Sequence, residues 1–132
     1  MNNQYYDQLQ EKLVTVELSD WNSDRTTNGI DPVLLAPIKS GSQVTDYQDV
    51  VVAQVEKLEV RPAKRITMTD SGVARLVEDP YFKEASLRLK LQVHESLSVD
   101  YYMIYYKVKV GETIPLYFDN VVYDGLITDI EN

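Results

Sequence analysis

The fold is decided by the stretch Lys107-Val108-Lys109-Val110-Gly111-Glu112-Thr113-Ile114, which is followed after a polar spacer by Gly125-Leu126-Ile127-Thr128-Asp129-Ile130. β-Branched residues stand on both sides of Gly111, a pattern that predicts a strand, a tight turn and further strands. Glycine suits such a turn because it adopts backbone conformations that other residues resist.

The first half of the chain contains a similar sequence, which we treat as a first copy of this stretch. It is Ile38-Lys39-Ser40-Gly41-Ser42-Gln43-Val44, followed by Ala53-Gln54-Val55-Glu56-Lys57-Leu58. In each copy a branched residue precedes Lys, Gly follows two residues later, and a small residue, Ala53 or Gly125, begins the second segment of the pattern. Ala53 or Gly125 then lies where a strand bends or another backbone passes close. We interpret the copies as two units paired about a pseudo-twofold axis; the alternative is a chance match.

Alternation of apolar and polar residues predicts further strands. The clearest is residues 85–93, where Leu87, Leu89, Leu91 and Val93 share one face. We also expect strands at residues 12–18, 50–60, 65–69, 73–77, 101–110, 114–118 and 121–128. Asp70-Ser71-Gly72 reads as a hairpin turn, while Arg61-Pro62 and Glu78-Asp79-Pro80 read as strand ends.

A single short helix is predicted after a polar loop. Asp31 suits the N-cap and Pro32 the first helical position, and Pro37 with Gly41 keeps the helix short. We therefore expect a mainly β fold, a small antiparallel barrel or barrel-sandwich with a pseudo-repeat and one short helix near Asp31–Lys39. Residues 1–11 form a polar N-terminal segment and residues 12–132 a single β domain.

Composition narrows the classes of function. The 132 residues carry a formal charge of −8, with 21 acidic against 13 basic side chains, which argues against binding to nucleic acid or to an anionic membrane. The chain has no cysteine, so disulfides and thiolate metal sites are excluded. No apolar run approaches the roughly 20 residues of a membrane span, and we expect no membrane insertion by this segment.

Several of these stretches together resemble a bacterial domain of unknown function. They are Asp31 to Gly41, Val55 to Ala63, Ser86 to Leu89, and Val110 to Ile114 continuing through Gly125 to Ile130. The resemblance implies a β-rich extracytoplasmic domain of the bacterial cell envelope, behind a single N-terminal membrane helix and without catalytic residues. This chain differs in lacking that helix and in having Ala53 where the pattern prefers Gly. We therefore expect it to be the soluble portion of a membrane-anchored protein.

One loop is a candidate calcium site. From Asp20 to Asp31, side chains with oxygen atoms fall at positions 1, 3, 5, 7, 9 and 12, a spacing that lets a chain wrap a hard cation. Arg25 stands where such loops require Gly, and Asp31 is shorter than the usual Glu. The alternative, an ordinary polar loop, is favoured, and we predict no metal ligand and no cofactor.

Other side chains that could support catalysis also have simpler explanations. His94 follows an alternating strand and is predicted to lie exposed at an edge. Glu78 and Asp79 are adjacent acids that are predicted to be solvated. Lys57 resembles a swinging-arm lysine in type, but it lies within a strand instead of at a hairpin tip. We predict no catalytic residue and no enzyme activity.

Tyrosine is unusually frequent, with ten residues against two Phe and one Trp. Tyr101, Tyr102, Tyr105 and Tyr106 place rings on both faces of one predicted strand, where an exposed set would bind a glycan or a peptide. Packing in the core and against a neighbouring hairpin is the favoured alternative. We therefore expect a structural or protein-interaction domain with an unidentified protein partner; the alternative is a small glycan- or calcium-binding accessory domain.

Overall fold

A computed structural model of the protein describes residues 9–20, 29–96, 98–103, 105–118 and 121–131. Within these ranges the chain forms one antiparallel sheet and one short helix. The elements are β1 (Leu9–Asp20), α1 (Pro32–Leu35), β2 (Gln43–Thr45), β3 (Val51–Met68), β4 (Ala74–Ser96), β5 (Val99–Tyr102), β6 (Tyr106–Lys107), β7 (Thr113–Phe118) and β8 (Val121–Glu131).

The main strands are arranged in the order β2-β3-β4-β1-β8-β7, and β5 and β6 extend from β4 as a small hairpin. β2 and β7 stand at the two ends of this order and approach each other without pairing. The sheet therefore curls into a nearly closed barrel with one seam. The prediction of a mainly β, barrel-like fold with one short helix is confirmed.

The barrel core is built by alternate side chains of the paired strands. Leu87, Leu89, Leu91 and Val93 of β4 are fully buried, as their spacing predicts. They meet the inward side chains of the other strands, which are Val14, Val16, Val44, Val55, Ile114, Leu116, Tyr123 and Ile127. Each such side chain contributes about 1.5–3 kcal/mol relative to exposure.

In the first Lys-x-Gly unit, the glycine turn precedes β2 and is hydrogen-bonded to β3. The amide of Gly41 donates to the carbonyl of Val55 at 2.8 Å, and the amide of Val55 donates to the carbonyl of Ser42 at 2.8 Å. Two residue pairs further along, Val44 lies opposite Ala53. Gly41 has a φ of 94°, the left-handed conformation expected of the turn.

The second unit repeats this arrangement between β7 and β8. The amide of Gly111 donates to the carbonyl of Ile127 at 2.9 Å, and the amide of Ile127 donates to the carbonyl of Glu112 at 2.9 Å. Ile114 lies opposite Gly125, and Gly111 has a φ of 96°. The two units thus share register, hydrogen bonds and turn conformation, and the predicted repeat is real.

The equivalence extends to the bulge that follows each unit. β3 shifts its register against β4 between Val55 and Lys57, and β8 shifts against β1 between Ile127 and Asp129, which are the corresponding positions. Both units therefore bend at the same point before joining the central strands.

The pseudo-twofold axis passes through the pairing of β1 with β4. Thr15 lies opposite Arg88, and the flanking pairs Val16 with Leu87 and Val14 with Leu89 exchange under this axis. Rotation about it also exchanges β2 with β7 and β3 with β8. The barrel thus consists of two halves, β1 to β3 and β4 with β7 and β8. The halves are held together by the pairing of β3 with β4 and of β8 with β1.

Helix α1 begins where the sequence predicts. The carboxylate of Asp31 accepts a hydrogen bond from the Val33 amide at 3.0 Å, and Pro32 occupies the first turn. Leu35 and Ile38 are buried against the barrel. Within the described ranges, no helix is long and apolar enough to cross a membrane.

Four predicted boundaries are wrong. β3 continues through Pro62 and β4 through Pro80, so both strands are much longer than their prolines suggest. The strand predicted at residues 101–110 is instead a hairpin, because β5 ends at Tyr102 and Met103 adopts a φ of 52°. At the N-terminus, β1 begins at Leu9, inside the segment predicted as polar and separate.

The two turn glycines should make equal contributions to stability. A Cβ added at Gly41 or Gly111 meets no atom within 4 Å, so Gly41→Ala and Gly111→Ala test the positive φ alone. We expect each to lower the free energy of unfolding by about 1–2 kcal/mol in urea denaturation. Gly111→Asn is the control, because Asn tolerates this conformation, and it should lose less. Equal stability of the Ala and Asn variants would contradict this explanation.

Candidate functional site

The candidate calcium loop lies largely outside the described residues, which exclude residues 21–28. Its last position, Asp31, caps α1 and accepts a hydrogen bond from the Tyr81 hydroxyl at 2.8 Å. Among the described side chains, no three His, Asp or Glu residues are grouped so that they could hold a metal ion.

His94 and Lys57 lie in different parts of the sheet. His94 is half-buried and lies between Leu9 of β1 and Tyr101 of β5, so it is not at an exposed edge as predicted. Lys57 is exposed within β3 opposite Arg88, in agreement with its predicted position inside a strand.

The tyrosines divide between the core and the surface. Tyr102 is fully buried opposite the half-buried Tyr106, with ring centroids 6.2 Å apart. Burial raises the pKa of the Tyr102 hydroxyl, to which no described group is hydrogen-bonded. Tyr101 is half-buried and Tyr105 is exposed. Two of the four rings thus pack together within the β5–β6 hairpin.

A β-ribbon at residues 61–84, here called the arm, extends beyond the barrel. It consists of the end of β3 and the beginning of β4 joined by the turn at residues 69–73. β4 pairs with β1 only from Ser86 onward. β2 pairs only with the start of β3, from Val51 to Gln54. Within the described ranges, the outer part of the arm, residues 64–78, therefore pairs only with itself.

Asp79 fixes the base of the arm. Its carboxylate accepts hydrogen bonds from the amides of Phe82 and Tyr81, both at 2.8 Å, and these bonds hold the pKa of Asp79 below its ordinary value. Asp79 is buried, so its prediction as a solvated acid is wrong. The local bend of β4 lets Lys83 exchange two backbone hydrogen bonds with Ile30.

A polar cluster also joins the arm to the barrel wall. The Arg61 guanidinium donates to the Glu17 carboxylate at 2.8 Å and to Glu84 at 3.2 Å. Ser86 donates to Glu17 at 2.6 Å. Because these residues lie on β3, β1 and β4, the cluster spans three strands at the root of the arm.

One face of the outer arm is apolar and open to solvent. Ile66 lies opposite Leu76 and Met68 lies opposite Ala74, and the period of two along each strand puts these four residues on one face, here called the apolar face. Ile66 is 72% exposed, Met68 66% and Leu76 64%. The apolar face therefore contributes little to this chain's own core.

Charge also distinguishes the arm from the rest of the chain. It carries five basic and four acidic residues, a net charge of +1, which leaves −9 for the remainder of a chain whose total is −8. The residues concerned are Arg61, Lys64, Arg65, Arg75 and Lys83 against Asp70, Glu78, Asp79 and Glu84. The arm is thus slightly basic on a strongly acidic domain.

A second surface feature lies near the barrel seam. It is a groove of about 500 Å³ between α1, β2 and the β7–β8 hairpin. Its described lining is mainly apolar or neutral, with Lys39 as the one ionisable side chain among the described residues, and includes Val33, Leu34, Pro37, Gly41, Ser42, Gln43, Thr45, Phe118 and Val121. The groove has space for a ligand, and the described residues that line it include no acid–base pair.

Comparison with known proteins assigns no function to these features. Searches against protein-family models, curated proteins and solved structures find no significant match to this chain. The functional conclusions therefore rest on the chain's own residues.

Removal of the Asp79 charge should destabilise the fold in a pH-dependent way. A carboxylate whose pKa is lowered by folding stabilises the protein above its ordinary pKa of about 3.9, and this contribution is lost as the pH falls through the lower folded value. We expect Asp79→Asn to unfold at lower urea concentration than wild type at pH 7, and the difference should shrink below about pH 4. The control is Asp70→Asn, at the exposed turn of the arm. A difference for Asp79→Asn that is independent of pH would contradict the assignment.

Proposed function

We propose that this domain is a non-enzymatic protein-interaction module that binds a protein partner through the apolar face of the arm. The observation that carries the proposal is the exposure of Ile66, Met68 and Leu76 together on a ribbon outside the barrel. Clustered apolar side chains on a rigid element are typical of protein contact surfaces.

The physical reason is the cost of leaving this surface in water. Burial of apolar area is favourable by about 25 cal/mol per Å², so a partner that covers these side chains gains free energy that the isolated chain does not. Two features hold the arm in place before a partner binds. They are the hydrogen bonds to Asp79 at its base and the polar cluster around Arg61. A pre-positioned arm reduces the entropy lost on binding.

A binding role is also favoured by the positions of the side chains that could support catalysis. Asp79 is near the start of β4 and its carboxylate is occupied by backbone amides, while His94 is near the end of the same strand. Lys57 lies on β3 opposite Arg88. In the described part of the chain, these three side chains lie at separate places on the sheet.

The proposed location is the bacterial cell envelope, outside the cytoplasm, with a membrane helix in the full-length protein. Its support is the resemblance of residues 31–41 and 55–63 to the β-rich domain found behind such helices. A module held at the membrane would meet its partner at high local concentration, which suits a small contact surface.

Site-specific photocrosslinking tests whether the apolar face contacts a protein. We expect a photoreactive residue in place of Leu76, expressed in the cells that make this protein, to give one adduct of discrete mass. The same residue in place of Lys90, which is exposed on the barrel, is the matched control and should give no such adduct. Excess wild-type domain should compete with the adduct.

The Ile66→Lys, Leu76→Lys double variant should not compete, because it introduces two charges into the contact. Its melting temperature should remain close to that of wild type, since both side chains are exposed. Identical adduct patterns at Leu76 and Lys90, or competition by the double variant, would overturn the proposed function.

A further inference from the structure

We infer that the partner of the apolar face is a second copy of this chain, and that the two arms pack face to face about a twofold axis running along their length. The inference rests on the proposed function and names the partner of the same surface. Three rows of opposed residues carry it, Lys64 with Glu78, Ile66 with Leu76, and Met68 with Ala74.

These rows complement themselves under such an axis. Rotation about the long direction of the arm places β3 of one copy over β4 of the other, so each residue of a row faces the opposite member of the same row. Ile66 then meets Leu76, the large Met68 meets the small Ala74, and Lys64 meets Glu78. Size and charge both match, as a twofold interface between identical chains requires.

The other possible face-to-face axis runs across the arm and gives a poorer match. It places β3 over β3 with the strands reversed, so Met68 of one copy covers Lys64 of the other and Ala74 covers Glu78. Lys64 and Glu78 would then be desolvated against apolar side chains, with no charged group of the other copy facing them. The rows therefore select the axis along the arm.

Net charge favours the arm as the place where two copies meet. Each chain carries −8, so two barrels repel each other when they approach at random. The arm alone has a net charge of +1, and Lys64 and Glu78 are opposite in sign. The contact between the arms therefore adds little like-charge repulsion of its own, and the repulsion that weakens the dimer comes from the two barrels, which an axis along the arm places at the same end.

The contact is small, and this sets the expected affinity. At about 3.4 Å per residue, the part of β3 from Lys64 to Met68 is roughly 14 Å long. An interface of that length falls below the roughly 1,200 Å² that stable complexes bury, so we expect a reversible dimer of micromolar or weaker affinity. Membrane anchoring would raise the effective concentration and favour this dimer.

Sedimentation equilibrium of the purified 132-residue chain tests the inference. We expect the wild type to be a concentration-dependent mixture of monomer and dimer between about 10 and 500 µM. Ile66→Lys with Leu76→Lys should raise the dissociation constant at least about tenfold. The matched control, Val33→Lys with Val110→Lys, adds the same charge at sites 69% and 56% exposed, away from the arm, and should leave the constant within about twofold.

A charge exchange tests the geometry. Lys64→Glu alone places two acids against each other at both Lys64–Glu78 contacts between the copies, and Glu78→Lys alone places two lysines there. Both variants should therefore be largely monomeric. An equimolar mixture should dimerise again, because each of these two contacts then joins an acid of one copy to a lysine of the other.

The outcomes separate this inference from the proposed function. A wild type that stays monomeric, together with a Leu76 adduct to a different protein, would overturn the second copy as partner and leave the interaction module standing. A dimer insensitive to the arm variants would also overturn the inference. A mixture that remains monomeric would overturn it as well, while an adduct with the mass of two chains would support both proposals.

Discussion

The rest of the structure depends on the inward face of β4, which pairs with β3 on one side and β1 on the other. Leu87, Leu89, Leu91 and Val93 fill the barrel because successive side chains of a strand point to opposite faces. A slip of one residue in either pairing would turn a neighbouring strand's apolar set towards solvent. The bulges after Val55 and Ile127 adjust the two outer units to this fixed centre.

Much of the barrel is predictable because its signals are local. The Lys-x-Gly units, the alternation in β4 and the Asp31 cap each depend on a few neighbouring residues, and each appears where expected. The strand ends predicted at Pro62 and Pro80 are wrong, because a proline ends a strand only where the neighbouring strand requires a hydrogen bond from its missing amide. The β5–β6 hairpin has no glycine, proline or asparagine at its turn, so nothing nearby indicates the reversal at Met103.

The candidate site was less predictable for a different reason. The alternation of Ile66, Met68 and Leu76 predicts correctly that these side chains belong to strands, but a periodic pattern does not say what covers the apolar side. Only the sheet order reveals that β1 and β2 stop short of these residues. The arm also breaks the pseudo-twofold symmetry. It connects β3 of the first unit to β4 of the second, and this connection has no counterpart after β8 among the described residues.

Among the described residues, the outer edges of β2 and β7 have no strand partner, which leaves them open to pairing with another chain. Pairing of Ile114 with Gly125 directs the backbone of the next residue, Pro115, away from β8 and towards the open edge, where a proline offers no amide to an incoming strand. β2 is only three residues long, which gives an aggregating chain little to pair with. A barrel that leaves one seam open is thus protected there against edge-to-edge growth.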